Sequence, residues 1–196
     1  MKTESSIQRI GLFGGTFNPV HLGHTMVARA AVEELALDRL FIIPAARSPF
    51  KPEDEPVPAA DRLAWLRLAF ADEPRCEIDA QEIEREGVSY SIDTVRAVAK
   101  RCPEAELFCL IGADHVPTLP QWREAEALAA LATFVVVPRP GEPVADFPEP
   151  FRGTVLSGQP MEISASDIRQ RLREGKSVEH LVPPGVAAAL KTGHLY

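Results

Sequence analysis

Two histidines three residues apart, His21 and His24, sit in the stretch Gly14 to His24, GGTFNPVHLGH. If that segment is helical, the two imidazoles share a face. Gly14 and Gly15 let the backbone approach a ligand closely or take dihedrals that a Cβ forbids. Pro19 stiffens the turn, and its missing N–H argues against a position inside a strand. A helix start favours anions through its free N–H groups and its dipole, so imidazoles placed there suit a phosphate. A second set, Ser164, Ser166 and Arg169, reads as a Ser-rich helix start with a guanidinium about one turn in, again suited to phosphate oxygens. Ser164 and Asp167 also have capping-box spacing. The glycines do not follow G-x-G-x-x-G, and no Gly-Lys-Ser/Thr follows them, which excludes a dinucleotide fingerprint and a P-loop.

These groups need a scaffold, and the hydrophobic pattern supplies one. Ile10, Leu12 and Phe13 read as a buried strand, and Met26, Val27, Ala30, Ala31 and Leu35 recur at helical spacing. The histidine motif is therefore a strand-to-helix turn, the usual place of a phosphate site in an open α/β sheet. Further strands are predicted over Leu40 to Ile43, ended by Pro44, and over Leu107 to Ile111 and Phe134 to Val137. The sheet resumes at Val155-Leu156. Cys76 to Ile83 contains a short strand, whose acidic residues make it an edge candidate. Ala59 to Phe70 is an amphipathic helix in which Arg62 and Leu63 are assigned only packing. Strands alternating with helices predict an α/β fold: a single Rossmann-like doubly wound domain over residues 1–196, with a mainly parallel sheet and C-terminal helices. A loop at about 44–58, rich in proline and charge, is read as flexible. A Pro-rich stretch at about 138–152 is read as a surface loop.

Composition narrows the function classes. At 196 residues and 45% hydrophobic the chain can bury a core. A net charge of −7 lacks the basic footprint of a nucleic-acid binder. No apolar run approaches the roughly 20 residues that span a bilayer, and MKTESSIQRI lacks a signal-peptide core. Cys76, Cys102 and Cys109 have neither disulfide-framework nor zinc spacing. A cytoplasmic enzyme without membrane or nucleic-acid partners is the expectation. The oligomeric state is not readable, and a homo-oligomer is compatible with the sequence.

Three other positions carry chemistry with a plainer alternative. Ser89 or Ser91 would cap the helix that opens at Ser89-Tyr90-Ser91-Ile92-Asp93-Thr94, and Asp93 in its first turn suits the dipole, which is capping alone on chemistry. Asp114, beyond a strand end, suits ribose hydroxyls or a metal-bound water, or simply caps the helix that follows. Trp122 reads as packing or as a platform for a ring, and His115 as incidental.

GGTFNPVHLGH resembles the signature of the H-x-G-H nucleotidyltransferase superfamily. SYSIDT, IGAD with its spaced Trp122, the Arg-Pro-Gly at 139–141 and ISASDIR followed by Leu-Val-Pro resemble one branch of it, the bacterial nicotinate-nucleotide adenylyltransferases. The likeness runs from residue 11 to residue 196, with five motifs in order. It departs at Phe50, where the family has histidine, at Ser91 for threonine, and mildly at Ala165 and Ser166. The resemblance implies transfer of AMP from ATP to nicotinate mononucleotide. It places ATP on Gly14, Gly15, Thr16, Phe17, His21, His24, Gly112, Asp114, Ile163, Ser164, Ser166 and Arg169. It places nicotinate mononucleotide on Lys51, Tyr90, Ser91, Asp93, Thr94 and Trp122. His21, His24 and Arg169 are the expected catalytic residues.

The chain offers no activated Ser, Cys or Lys nucleophile, which agrees with direct in-line attack by an already ionised phosphate. Mg2+ is expected with ATP, held by phosphate oxygens and water rather than by a protein cage. The rivals are another acceptor, such as nicotinamide mononucleotide, phosphopantetheine, glycerol phosphate or a riboflavin nucleotide, and a non-catalytic nucleotide sensor. A metal-binding module is opposed by the lack of a third ligand at recognisable spacing from His21 and His24.

Overall fold

In a computed structural model, residues 7–47, 49, 57–138, 141, 143–158, 161–193 and 196 are described. Six strands, β1 (Arg9–Gly15), β2 (Arg39–Pro44), β3 (Cys76–Ile78), β4 (Glu106–Gly112), β5 (Thr133–Val137) and β6 (Gly153–Val155), form one sheet in the order β3-β2-β1-β4-β5-β6. Every pairing is parallel. The chain runs outward from β1 to β3, then returns to add β4 on the other side of β1. The strand order thus reverses between β1 and β4, and a crevice opens there beyond the carboxyl ends. The expected doubly wound α/β architecture is present.

Parallel strands covered on both faces read as continuous apolar runs, because side chains alternate between two buried layers. Phe13, Leu40, Ile42, Phe108, Leu110 and Val135 point to one layer. There they meet α1 (Leu22–Glu34), α2 (Ala59–Ala69), α6 (Ala165–Arg173) and α7 (Pro184–Gly193). Ile10, Leu12, Phe41, Ile43, Leu107, Cys109, Ile111, Phe134 and Val136 point to the other. That layer is covered by α4 (Ser91–Arg101), α5 (Ala125–Leu131) and a 3₁₀ helix over Ala113–Gln121. A short α3 (Gln81–Arg85) precedes α4.

One expectation holds and three need correction. The short edge strand expected within Cys76 to Ile83 is β3, Cys76–Ile78; Asp79 then turns the chain, its Oδ1 accepting from Gln81 N at 3.1 Å, and 81–85 are helical. The buried face of α1 is Thr25, Ala28, Ala31 and Val32, with Met26 exposed. Small side chains let this helix lie close to the sheet, and they carry less hydrophobic signal than Met26. The segment after Asp114 is 3₁₀, because Pro117 and Pro120 supply no N–H to an α ladder. Neither serine caps α4: Tyr90 is its N-cap, and Ser89 Oγ instead accepts from Ala46 N at 3.0 Å. Lys51 and Phe50, with Arg139, Pro140 and Leu195, lie outside the described residues.

Arg62, assigned only packing from sequence, does far more. Its side chain is 2% exposed. Nε donates to Val57 O at 3.1 Å, and Nη1 donates to Thr16 O and Ala45 O, each at 2.9 Å. One guanidinium thus joins the turn after β1, the exit of β2 and the entry to α2. Burial pushes its pKa down, so the three carbonyls are what offset its desolvation. Arg62→Met should cost about 2–4 kcal/mol, because buried carbonyls lose their donors, and should lower Tm by roughly 5–15 °C. Arg62→Lys keeps the charge but not the planar fork and should recover only part of that loss, as thermal unfolding of the three proteins would show.

Candidate active site

The turn after β1 is not self-supporting. Phe17 takes a φ of 49°, the left-handed region that a residue with a side chain occupies at a cost. Packing offsets that cost. The Phe17 ring, 2% exposed, meets Phe13 edge-on at 5.6 Å and His24 at 4.9 Å between centroids. A Cβ on Gly15 would come within 3.0 Å of the same ring, so the second glycine leaves room for it. A Cβ on Gly14 would meet nothing within 4 Å, which leaves that backbone open to a ligand. Three long-range contacts hold the rest of the turn. Arg62 holds the Thr16 carbonyl, Arg169 Nη1 donates to Asn18 O at 2.9 Å, and the Tyr196 hydroxyl meets Asn18 Oδ1 at 2.6 Å.

His21 is the N-cap of α1 and is buried, and His24 is three residues on. Their rings stack with centroids 3.7 Å apart. His24 Nδ1 accepts from the His21 backbone N at 3.1 Å, which fixes the tautomer: the proton of a neutral His24 sits on Nε2. His21 Nδ1 is buried without a hydrogen-bond partner among the described residues. A Cβ on Gly23 would come within 3.1 Å of that nitrogen, so the glycine between the histidines keeps the His21 ring in place. Burial lowers the His21 pKa to about 4. Burial, and then the neighbouring His21, push His24 well below the ordinary value. Both imidazoles are therefore neutral at pH 7.

Arg169 connects this turn to α6. Ser164 is the N-cap of α6, its Oγ accepting from Asp167 N at 3.0 Å, and Arg169 Nη2 donates to Ser166 Oγ at 3.2 Å. Half-buried Ile163 precedes the cap. Gly112 ends β4 beside β1, and Asp114 lies exposed in the first turn of the 3₁₀ helix. Gly14, Gly15, Thr16, Phe17, His21, His24, Ser164, Ser166 and Arg169 are thus linked, and Gly112 and Asp114 border the same crevice.

The other group gathers around the start of α4, on the opposite layer. Tyr90 is half-buried, with the Arg123 guanidinium 4.8 Å above its ring centre, and Arg123 also lies 3.5 Å from Asp93. Ser91 is half-buried at the first position of the helix. Trp122 donates from Nε1 to Thr118 Oγ1 at 3.1 Å and packs edge-on against His115 at 5.9 Å and Phe134 at 6.3 Å. His115, read as incidental, thus touches the Trp122 ring. Thr94 is 4% exposed and turns inward: its Oγ1 donates to Glu82 Oε1 at 2.5 Å and accepts from Arg85 Nη2 at 3.2 Å. Sequence reading missed Arg62, Arg123 and Glu82. Arg123 follows Trp122 directly, but only the fold brings it over Tyr90.

Among the described residues, no three or more His, Cys, Asp or Glu side chains cluster so as to hold a metal ion, and no helix is long and apolar enough to cross a membrane. The Cytidylyltransferase-like family matches residues 12–171. A Thermus thermophilus protein is 42% identical over 96% of this chain and 99% of its own length, and a Gemmatimonas aurantiaca protein is 41% identical over 96% and 92%. Both carry the curated name "Probable nicotinate-nucleotide adenylyltransferase". The chain belongs to the nicotinate-nucleotide adenylyltransferase family. It is accordingly a nucleotidyltransferase. The Plasmodium falciparum nicotinic acid mononucleotide adenylyltransferase solved in complex with NaAD shares the fold, with a TM-score of 0.79 at 15% identity over 96% of this chain and 97% of that one.

The depressed histidines tie stability to pH. An unfolded histidine binds its proton near the ordinary value of 6.5, whereas burial holds folded His21 to about 4. Between those values the unfolded chain holds more protons, so stability falls as pH is lowered through the window and levels off below it. The His21 contribution is on the order of 3 kcal/mol. Denaturant unfolding at steps from pH 7 to pH 4 should show wild type losing more stability than His21→Asn. Parallel curves would remove the assignment.

Proposed function

We propose that the protein transfers AMP from ATP to nicotinate mononucleotide, giving nicotinate adenine dinucleotide (deamido-NAD) and pyrophosphate, as a step in NAD biosynthesis. The observation that carries this reading is the stacked pair His21–His24 at the start of α1, tied through Asn18 to Arg169 of α6. Two helix starts, two imidazoles and a guanidinium then converge on one end of the sheet, which suits a triphosphate.

The acceptor phosphate is ionised at neutral pH and attacks the α-phosphorus directly, without a general base or a covalent enzyme intermediate. The barrier is lowered by holding the reactants in line and by offsetting charge that grows on the phosphoryl oxygens. His24 donates from Nε2 to the α-phosphate and His21 adds to the same anion. Two neutral, stacked imidazoles are ready to gain positive character when a triphosphate enters, since a nearby anion favours the protonated ring. Ser164, Ser166 and Arg169 hold the β- and γ-phosphates and so the departing pyrophosphate. Gly14, Gly15, Thr16, Phe17 and Ile163 form the wall against the nucleotide, with Gly112 and Asp114 on the ribose side. Tyr90, Ser91, Asp93 and Trp122 hold the pyridine nucleotide, with Trp122 stacked on the ring and Lys51 reaching its phosphate.

Mg2+ bound with ATP would offset charge on the phosphate oxygens, which on this reading face His21, His24, Ser164, Ser166 and Arg169. Asp114, exposed in the first turn of the 3₁₀ helix beyond β4, is the carboxylate that would orient a water of that ion.

Pyrophosphate release from ATP and Mg2+ should be strong with nicotinate mononucleotide and weak with nicotinamide mononucleotide or phosphopantetheine. Release with only another acceptor would overturn the acceptor assignment, and silence with all three would overturn catalysis. His24→Ala should lower kcat by about 10²–10³; near-normal turnover would remove its role at the α-phosphate.

A further inference from the structure

Glu82 of α3 is 7% exposed and lies at the centre of a polar network that the proposed chemistry does not use. It accepts from Thr94 Oγ1 at 2.5 Å. Thr94 in turn accepts from Arg85 at 3.2 Å. Burial pushes the Glu82 carboxyl up, and hydrogen bonds to Thr94 and Ser89 oppose that rise. Ser89, 8% exposed, extends the network to the other side of the crevice: its Oγ accepts from Ala46 N at 3.0 Å, and its backbone N donates to Arg47 O at 2.9 Å. Arg47 also forms a lone parallel bridge with Val88.

One buried carboxyl therefore lies between the segment leaving β2, which leads toward Lys51, and the first turn of α4, with Tyr90, Ser91 and Asp93. A buried polar network of this kind is costly unless it is fully satisfied, and satisfied it fixes a single geometry. The two segments it joins are the ones that the acceptor reading assigns to the pyridine nucleotide. None of its side chains belongs to the turn at 16–21 or to the start of α6.

We propose that Glu82 is a positioning residue for the acceptor: through Thr94 and Ser89 it sets the distance and orientation between the exit of β2 and the start of α4, and so the width of the site that receives the pyridine mononucleotide. This rests on the assignment of nicotinate mononucleotide to that segment. It also gives Thr94 a different place from that implied by resemblance, holding the site from beneath rather than touching the ligand.

The test is steady-state kinetics with each substrate varied separately, on wild type, Glu82→Ala, Glu82→Gln, Thr94→Val and Thr94→Ser. Glu82→Ala and Thr94→Val should raise KM for nicotinate mononucleotide about tenfold while KM for ATP stays within about twofold. Thr94→Ser, which keeps the hydroxyl, should restore the wild-type ratio. If Glu82→Ala does not fold, Glu82→Gln and the Thr94 pair carry the comparison. Equal rises in both KM values, or a Thr94→Ser as impaired as Thr94→Val, would overturn the proposal while wild-type turnover of nicotinate mononucleotide left the acceptor reading standing. A wild type inactive with nicotinate mononucleotide would remove both.

Discussion

The carbonyl of Asn18 accepts from a guanidinium 151 residues away, and the site depends on this and two similar contacts. Thr16 O accepts from Arg62, 46 residues away, and Asn18 Oδ1 meets the hydroxyl of Tyr196, 178 residues away. Short turns ordinarily satisfy their own carbonyls. In this one Phe17 takes the left-handed region, and Thr16 O and Asn18 O are bound by distant guanidinium groups. The donors therefore come from α2, from α6 and from the residue beyond α7. Such an arrangement makes the turn rigid only when the whole layer is assembled, and so couples the anion site to the fold itself.

Rigidity matters because the histidines start neutral. Two imidazoles stacked at 3.7 Å in a buried setting repel if both are protonated, and burial removes the water that would stabilise either charge. A soft turn would relieve that pressure by letting one ring swing to solvent. Here the His21 backbone N is bound to His24 Nδ1, Gly23 gives the His21 ring its space, and Phe17 closes the other side of His24. The two neutral rings are thereby held in one fixed geometry, with no charge repulsion between them.

Much of this was legible in the sequence, for reasons that differ by element. Buried parallel strands leave continuous apolar runs, so β1, β2, β4 and β5 were recognisable, and the motif order gave the crevice its contents. The failures share a cause: a local signal was outvoted by a distant partner. Ser89 carries a good capping residue's hydroxyl but spends it on Ala46, across the β2 exit. Arg62 sits one position from a leucine in an amphipathic pattern, and nothing nearby announces that it serves carbonyls of three segments. Met26 outweighs Thr25 on any hydrophobic scale, yet the closer approach of α1 selects the smaller side chain.

The division of the site between the two layers has a consequence for specificity. His21, His24 and Arg169 rise from helices that share the layer of Phe13, Leu110 and Val135. Tyr90 and Trp122 belong to the layer of Leu12, Ile111 and Phe134. The sheet of parallel strands lies between the two sets. A change in the packing of α4 or of the 3₁₀ helix can therefore reshape what is presented to the acceptor without disturbing the Asn18 carbonyl or the histidine stack. If the protein works as proposed, phosphoryl charge and the choice of the attacking group would be handled on different faces of one sheet. On the proposed reading, the determinants of acceptor choice would lie among α3, α4 and the 3₁₀ helix, apart from the turn that carries the histidines.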